Sequence, residues 1–172
     1  MHLTKTERMI LINQYEIRKA LDPNDAVYYD EAIEILTNGY AVLYAELFTG
    51  ISSDMPKSDG EFVLDVLQMF RVIEAYKQSH PNDSEVANHQ WAHFHGFDGN
   101  NEGHCLQFTR FQIKVKKHWS EQWPYESQTD GFNSHTPMMG VYARMLKEWE
   151  SFDKPYPLSR DQIMAILNAA RG

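Results

Sequence analysis

From Ser58 to Tyr76 the apolar residues return every three or four positions: Phe62, Val66, Met69, Ile73 and Tyr76, flanked by Val63 and Phe70. That spacing is the signature of an α-helix with one buried arc. The same period recurs along most of the chain. No segment shows the strict alternation and tight turns of paired strands. The expected fold is all-α: an N-terminal helical hairpin followed by a larger, irregular helical bundle, six or seven helices in total.

The ends of the helices can be read from their capping residues. Thr4 and Glu7 have the spacing of a capping box, and the helix they open puts Ile10, Ile17 and Leu21 on one stripe, with Asn13 and Gln14 beside it. Pro23 closes it. A second helix is expected over 25–38, with Tyr28, Ala32, Ile35 and Leu36 inward and Gly39 as its stop. Tyr40, Leu43, Tyr44 and Leu47 predict a short third helix. The run 49–58 is rich in Gly, Ser and Pro and reads as a linker, giving a hairpin subdomain over 1–50 and a bundle over 51–172. Ser58 and Glu61 suggest a second capping box, with Arg71 of the following helix facing water.

Further on, a helix is expected from about Asp98 to His118, with Phe108, Phe111, Val115 and Trp119 inward and Gln107, Arg110, Lys114 and Lys117 outward. Residues 120–136 read as a loop. Thr136-Pro137 predicts the next helix start, followed by the stripe Met138, Tyr142, Met145, Trp149 and Phe152. Ser159 and Gln162 cap the last helix, which carries Ile163, Ile166, Leu167 and Ala170.

Two turns have the same form. Gly96-Phe97-Asp98 and Gly131-Phe132-Asn133 each pair Gly-Phe with a short polar residue ahead of a helix. If they meet, two helix starts pool their unsatisfied N–H groups and positive dipole ends. With Arg110 nearby, Asp98, Arg110, Asn133 and Thr136 would then line a pocket for a small anionic ligand. The competing reading is that each turn is only a cap with an aromatic anchor.

Other constellations are weaker. His89-Gln90-Trp91-Ala92-His93 has the i, i+4 histidine spacing of a zinc-protease helix, and His95 offers a third ligand. Gln90 stands where such an enzyme needs a glutamate base. The expected function is that of a non-catalytic, self-associating protein presenting a protein- or small-ligand-binding surface; a metal- or small-molecule-binding, hydrolase-like site around His89, His93, Asp98 and Glu102 is the alternative. Asp98 and Glu102 otherwise read as carboxylates favoured at a helix start. The basic residues Arg110, Lys114 and Lys117 read as a solvated stripe. No nucleophile elbow, dinucleotide fingerprint or P-loop is present, so no cofactor is implied.

The net charge of −8, from 16 basic and 24 acidic residues, argues against direct nucleic-acid binding. The one cysteine, Cys105, excludes an internal disulfide. No apolar run approaches a membrane span, and none at the N-terminus suits a signal peptide. A cytoplasmic, non-membrane protein is the expectation. Trp123, Tyr125 and Phe132, large apolar groups in a loop, point to a homo-oligomeric interface.

The ordered set Ile12-Asn13-Gln14-Tyr15, Leu21-Asp22-Pro23, Asn38-Gly39-Tyr40, Gly96-Phe97-Asp98, Gly131-Phe132-Asn133, Thr136-Pro137-Met138, Arg144-Met145-Leu146 and Leu158-Ser159 resembles the YfbU-like family of small bacterial proteins. The resemblance covers essentially the whole chain. It implies an all-helical fold and self-association, and it carries no reaction or catalytic residues.

Overall fold

The computed structural model describes residues 1–171 and contains seven α-helices among them. The chain divides into two compact units, Met1–Asp54 and Met55–Gly172. No helix among the described residues is long and apolar enough to cross a membrane.

In the first unit, α1 (Lys5–Leu21) starts at the Thr4–Glu7 capping box: Thr4 N–H donates to the Glu7 carboxylate at 2.7 Å, and the Thr4 hydroxyl accepts from Glu7 N–H at 3.2 Å. It packs against α2 (Ala26–Asn38) through Leu11, Ile12 and Tyr15, which meet Ile35, Leu36 and Tyr44. The inward face is therefore not the stripe expected from spacing. Ile10 and Ile17 are each 54% exposed and Leu21 is 80% exposed. Asn13 and Gln14 are exposed too. Two apolar rows run along α1, and periodicity alone does not say which one α2 covers. In α2 the buried tyrosine is Tyr29 rather than Tyr28, which is half exposed.

Gly39 ends α2 in left-handed geometry (φ +70°), with Tyr40 N–H returning to the Ile35 carbonyl at 3.0 Å. A β-carbon there would meet the Arg8 guanidinium at 2.6 Å, and Arg8 donates to the Leu36 carbonyl at 2.9 Å. Ala41–Phe48 winds as a 3-10 helix instead of an α-helix.

The second unit is organised on α3 (Lys57–Ser79). Val63, Val66, Leu67, Met69, Phe70 and Ile73 are fully buried along it. Helix α3 begins a residue before Ser58, with Pro56 at the cap position and no side-chain cap. Arg71 is only partly in water: its guanidinium pairs with Glu121 at 2.8 Å and lies 5.1 Å from the Trp119 ring centre. The short α4 (Ser84–Ala87) is capped by Asp83.

Helix α5 (Gly103–Arg110) starts five residues after Asp98, and a π-helical turn, Phe111–Val115, follows it. The buried face of α5, formed by Cys105, Leu106 and Thr109, continues at helical spacing to Gln112 and Ile113; Phe111 and Val115, expected inward, lie off that face and are 45% and 67% exposed. Lys117 and Trp119 then adopt positive φ and end the helix. The segment 120–129 is not plain loop: Ser120–Tyr125 and Ser127–Thr129 are 3-10 turns.

Helix α6 (Met139–Ser151) buries Tyr142, Met145, Leu146 and Trp149. It begins after Met138, not at Thr136-Pro137. Helix α7 (Arg160–Ala169) carries the predicted Ser159–Gln162 capping box and buries Ile163, Ile166 and Leu167. Tyr142, with no exposed surface, sits among Phe70, Phe94 and Phe97, ring centres 5.5–5.7 Å away.

Met69→Asp should abolish cooperative thermal unfolding followed by circular dichroism. An unpaired buried carboxylate costs several kcal/mol, a large part of a typical stability of ~5–15 kcal/mol. A melting point within a few degrees of the parent would contradict Met69's central place.

Candidate functional site

The two Gly-Phe turns meet. Phe97 N–H donates to the Phe132 carbonyl at 3.0 Å, and Ser134 N–H returns to the Phe97 carbonyl at 3.2 Å, forming an isolated parallel bridge between Phe97 and Asn133. Gly96 makes this approach possible: its φ is +86°, and a β-carbon there would lie 1.9 Å from the Phe132 carbonyl oxygen. Phe94, Phe97 and Phe132 are fully buried below the bridge. Phe132 itself holds φ +67°, a strained backbone for a bulky residue. Thr129 supports that strain by accepting from Phe132 N–H at 3.1 Å and donating to the Tyr125 carbonyl at 2.8 Å.

The two helix starts do not pool their N–H groups: those at the start of α6, with Asp98 N–H from the turn ahead of α5, are taken by an anion of the chain's own. Glu102 is 7% exposed. One carboxylate oxygen accepts from Met138 and Met139 N–H, each at 2.7 Å, and the other from Asp98 N–H at 3.0 Å. Glu102 thus caps α6 from across the fold, while no side chain caps α5. Arg110 is also engaged internally. Its Nε donates to the Gly131 carbonyl at 2.7 Å and its Nη2 to the Asp130 carbonyl at 3.3 Å.

Asp98, 2% exposed, accepts from the Asn101 side chain and from Asn100 N–H. These bonds, the Asn101 amide foremost, hold its pKa below the ordinary aspartate value. Asn133 accepts from Gly99 N–H at 3.0 Å and so ties the turns together. Thr136 lies outside this junction, exposed, bonding only with Ser134. The anion pocket expected from Asp98, Arg110, Asn133 and Thr136 is therefore closed by Glu102 and by the carbonyls that Arg110 holds. Asp98 and Glu102 make separate bonds rather than a carboxylate pair. The cavity beside them, about 350 Å³, is lined by Asp59, Glu102, Asn100, Asn101, His104 and Cys105. Two carboxylates on its wall disfavour an anion.

The histidines do not form the expected metal site. Helix α4 ends at Ala87, so His89 and His93 share no helical face. Among the described residues no group of three or more metal-ligating side chains comes together. His93 and His95 are neighbours, ring centres 4.2 Å apart. His95 Nε2 bonds to the Gln90 carbonyl at 2.8 Å, and His89 Nδ1 accepts from Trp91 N–H at 3.3 Å. Burial, together with His95 and Lys77, lowers the His93 pKa to about 4. Burial raises the Cys105 thiol to about 11, a poor nucleophile near neutral pH.

A second polar cluster was not anticipated from the sequence. On α3, Lys77 Nζ donates to Glu74 at 2.7 Å, to Tyr125 Oη at 2.8 Å and to the Ala92 carbonyl at 3.1 Å. Tyr125 in turn donates to Glu74 at 2.7 Å. His93 stacks on the Tyr125 ring at 5.2 Å. Burial opposes the Lys77 charge, but the bonds to Glu74 and Tyr125 raise its pKa. The signal was present: Glu74 and Lys77 continue the row of Phe70 at i+4 and i+7, where a carboxylate needs a buried partner. Of the three loop aromatics expected at an interface, Tyr125 belongs to this cluster and Phe132 to the core; only Trp123 is exposed, at 47%.

The YfbU domain model matches residues 1–169. The UPF0304 protein MJECS11 of Methanocaldococcus jannaschii is 46% identical over 169 residues, covering 97% of this chain and 99% of that protein.

Glu102→Ala should destabilise the fold by roughly 3 kcal/mol or more in urea titrations, because each buried N–H left without an acceptor costs about 1–3 kcal/mol. Glu102→Gln, which keeps one carbonyl oxygen, should lose about half as much. Equal stability of Glu102→Ala and the parent would remove the junction's structural role.

A second outcome concerns acid. Below its ordinary pKa of 6.5 the unfolded histidine takes up a proton that folded His93 refuses until about pH 4. Its contribution to stability is present above pH 6.5 and is lost as the pH falls from 6.5 towards 4. His93→Phe keeps a ring against Tyr125 and removes the titration. Its melting temperature should fall less steeply over that range than the parent's; parallel slopes would contradict the assignment.

Proposed function

This chain belongs to the YfbU family, and we propose that it is a non-catalytic, self-associating helical protein that works through a protein-binding surface. One observation carries the reading. Helix α1 is 17 residues long and not one of them is buried, yet Ile10, Ile17 and Leu21 form an apolar row along its exposed side. Large apolar groups aligned on a surface are what an interaction face requires.

Non-catalytic is supported by the state of the polar groups. The N–H groups gathered at the two turns are taken by Glu102. Lys77, Glu74 and Tyr125 satisfy one another. The sole thiol has a raised pKa, whereas catalytic thiols are activated by lowering it. A zinc-protease arrangement lacks both the shared helical face and the base, which is Gln90 here. The unpaired cysteine favours a reducing compartment such as the cytoplasm.

Static light scattering of the untagged chain at ~10–100 µM, a range that captures ordinary transient affinities, should give at least twice the monomer mass of 20.1 kDa. A monomer throughout that range would sink the reading.

A further inference from the structure

We infer that the exposed row of α1 seats a second copy of this chain, two α1 helices packing antiparallel about a two-fold axis midway between Gln14 and Ile17. This rests on the self-association proposed above and names the surface and geometry that would produce it.

The helix is apolar on two opposite faces. Leu11, Ile12 and Tyr15 are covered by α2 and the 3-10 segment after it. At 100° per residue, Ile10, Ile17 and Leu21 fall within about 40° of one another on the other side. A helix with two apolar faces is normally covered on both. Here the second face has Ile10 and Ile17 at 54% exposure and Leu21 at 80%, with Met9 beside them at 59%.

The spacing of this row selects its occupant. Positions 10, 14, 17 and 21 step by four, three and four, the spacing of a coiled-coil seam. The series reads the same in both directions. An antiparallel copy centred between 14 and 17 sets Ile10 against Leu21 and Gln14 against Ile17, and repeats both contacts by symmetry. Such an isologous contact needs only one self-complementary surface. One flank of the row is uncharged, formed by Thr6, Asn13 and Ala20. The other holds one charge of each sign, Glu7 and Arg18. Glu7 is tied to the Thr4 cap, and Arg18 lies 5.3 Å from the Tyr29 ring centre. Like charges therefore do not meet across the seam.

The area is of the right order. Met9, Ile10, Ile17 and Leu21 leave roughly 500 Å² to cover, against the ~800 Å² each partner brings to a standard interface. Thr6, Asn13, Gln14 and Ala20, all exposed, supply much of the remainder.

Two variants of the full chain test this by light scattering and a short bismaleimide cross-linker. Ile17→Glu places two carboxylates in the seam and should weaken dimerisation at least ~100-fold, with helix content unchanged because the residue faces out. Gln14→Cys should cross-link into a dimer on denaturing gels. Lys5→Cys should not, since antiparallel copies hold it roughly 30 Å from its counterpart. The parent, whose only cysteine is buried, gives the background. A monomeric parent would overturn the self-association reading itself. A dimer that survives Ile17→Glu, with no cross-link at position 14, would leave that reading standing and overturn this interface. The row would then be covered by another protein or another part of the chain. Cross-linking at position 5 in place of position 14 would overturn the antiparallel arrangement.

Discussion

The Glu102 carboxylate accepts from three backbone N–H groups that belong to two different turns. Hydrogen bonds to an ionised acceptor are about twice as strong as neutral ones, and these are nearly out of water. They hold the start of α6 beside the loop that leads into α5. That position brings Gly96 under the Phe132 carbonyl, seats three phenylalanines below the bridge, and lets the Tyr142 hydroxyl donate to the Gly96 carbonyl and accept from His95 N–H. Arg110 completes the junction from the end of α5. The positive φ of Phe132 is tolerated because Thr129 and these bonds over-determine it.

The second buried network works by the same rule with different groups. Glu74 is 7% exposed and carries both Lys77 and Tyr125 on one oxygen. A buried ion pair of this kind is weak evidence for stability but strongly disfavours the states in which one partner is missing. It therefore specifies how the turn holding Tyr125 and the segment holding Ala92 and His93 lie on α3. The two networks share the stretch from Ala92 to Gly96, the run of the chain richest in aromatic contacts. Glu102, Arg110, Lys77 and Tyr125 all spend their bonds within these networks, whereas the apolar row of α1 faces outward.

Much of this was legible in the chain. The helical period identified α3, α6 and α7 with their buried faces, because each has one apolar arc. The Thr4 and Ser159 capping boxes and Gly39 were readable because caps are local chemistry, complete within four residues. The paired Gly-Phe turns were likewise visible as a repeated form, since only glycine tolerates the conformation and the closeness at position 96.

What the sequence could not determine by itself were choices between equivalent local options. Helix α1 has two apolar rows, and only packing with α2 shows which is inward. Helix α5 and the turn after it also offer two faces, and the fold buries the one with Cys105, Thr109 and Gln112 while Phe111 and Val115 stay outward. Glu102 reads as a carboxylate for its own helix start, and only the tertiary fold gives it to Met138 and Met139, 36 and 37 residues away. Local periodicity and capping decide that helices form and where most of them end. Partners distant in sequence decide which face is buried and which charge is satisfied, because desolvation is set by whatever the fold places opposite.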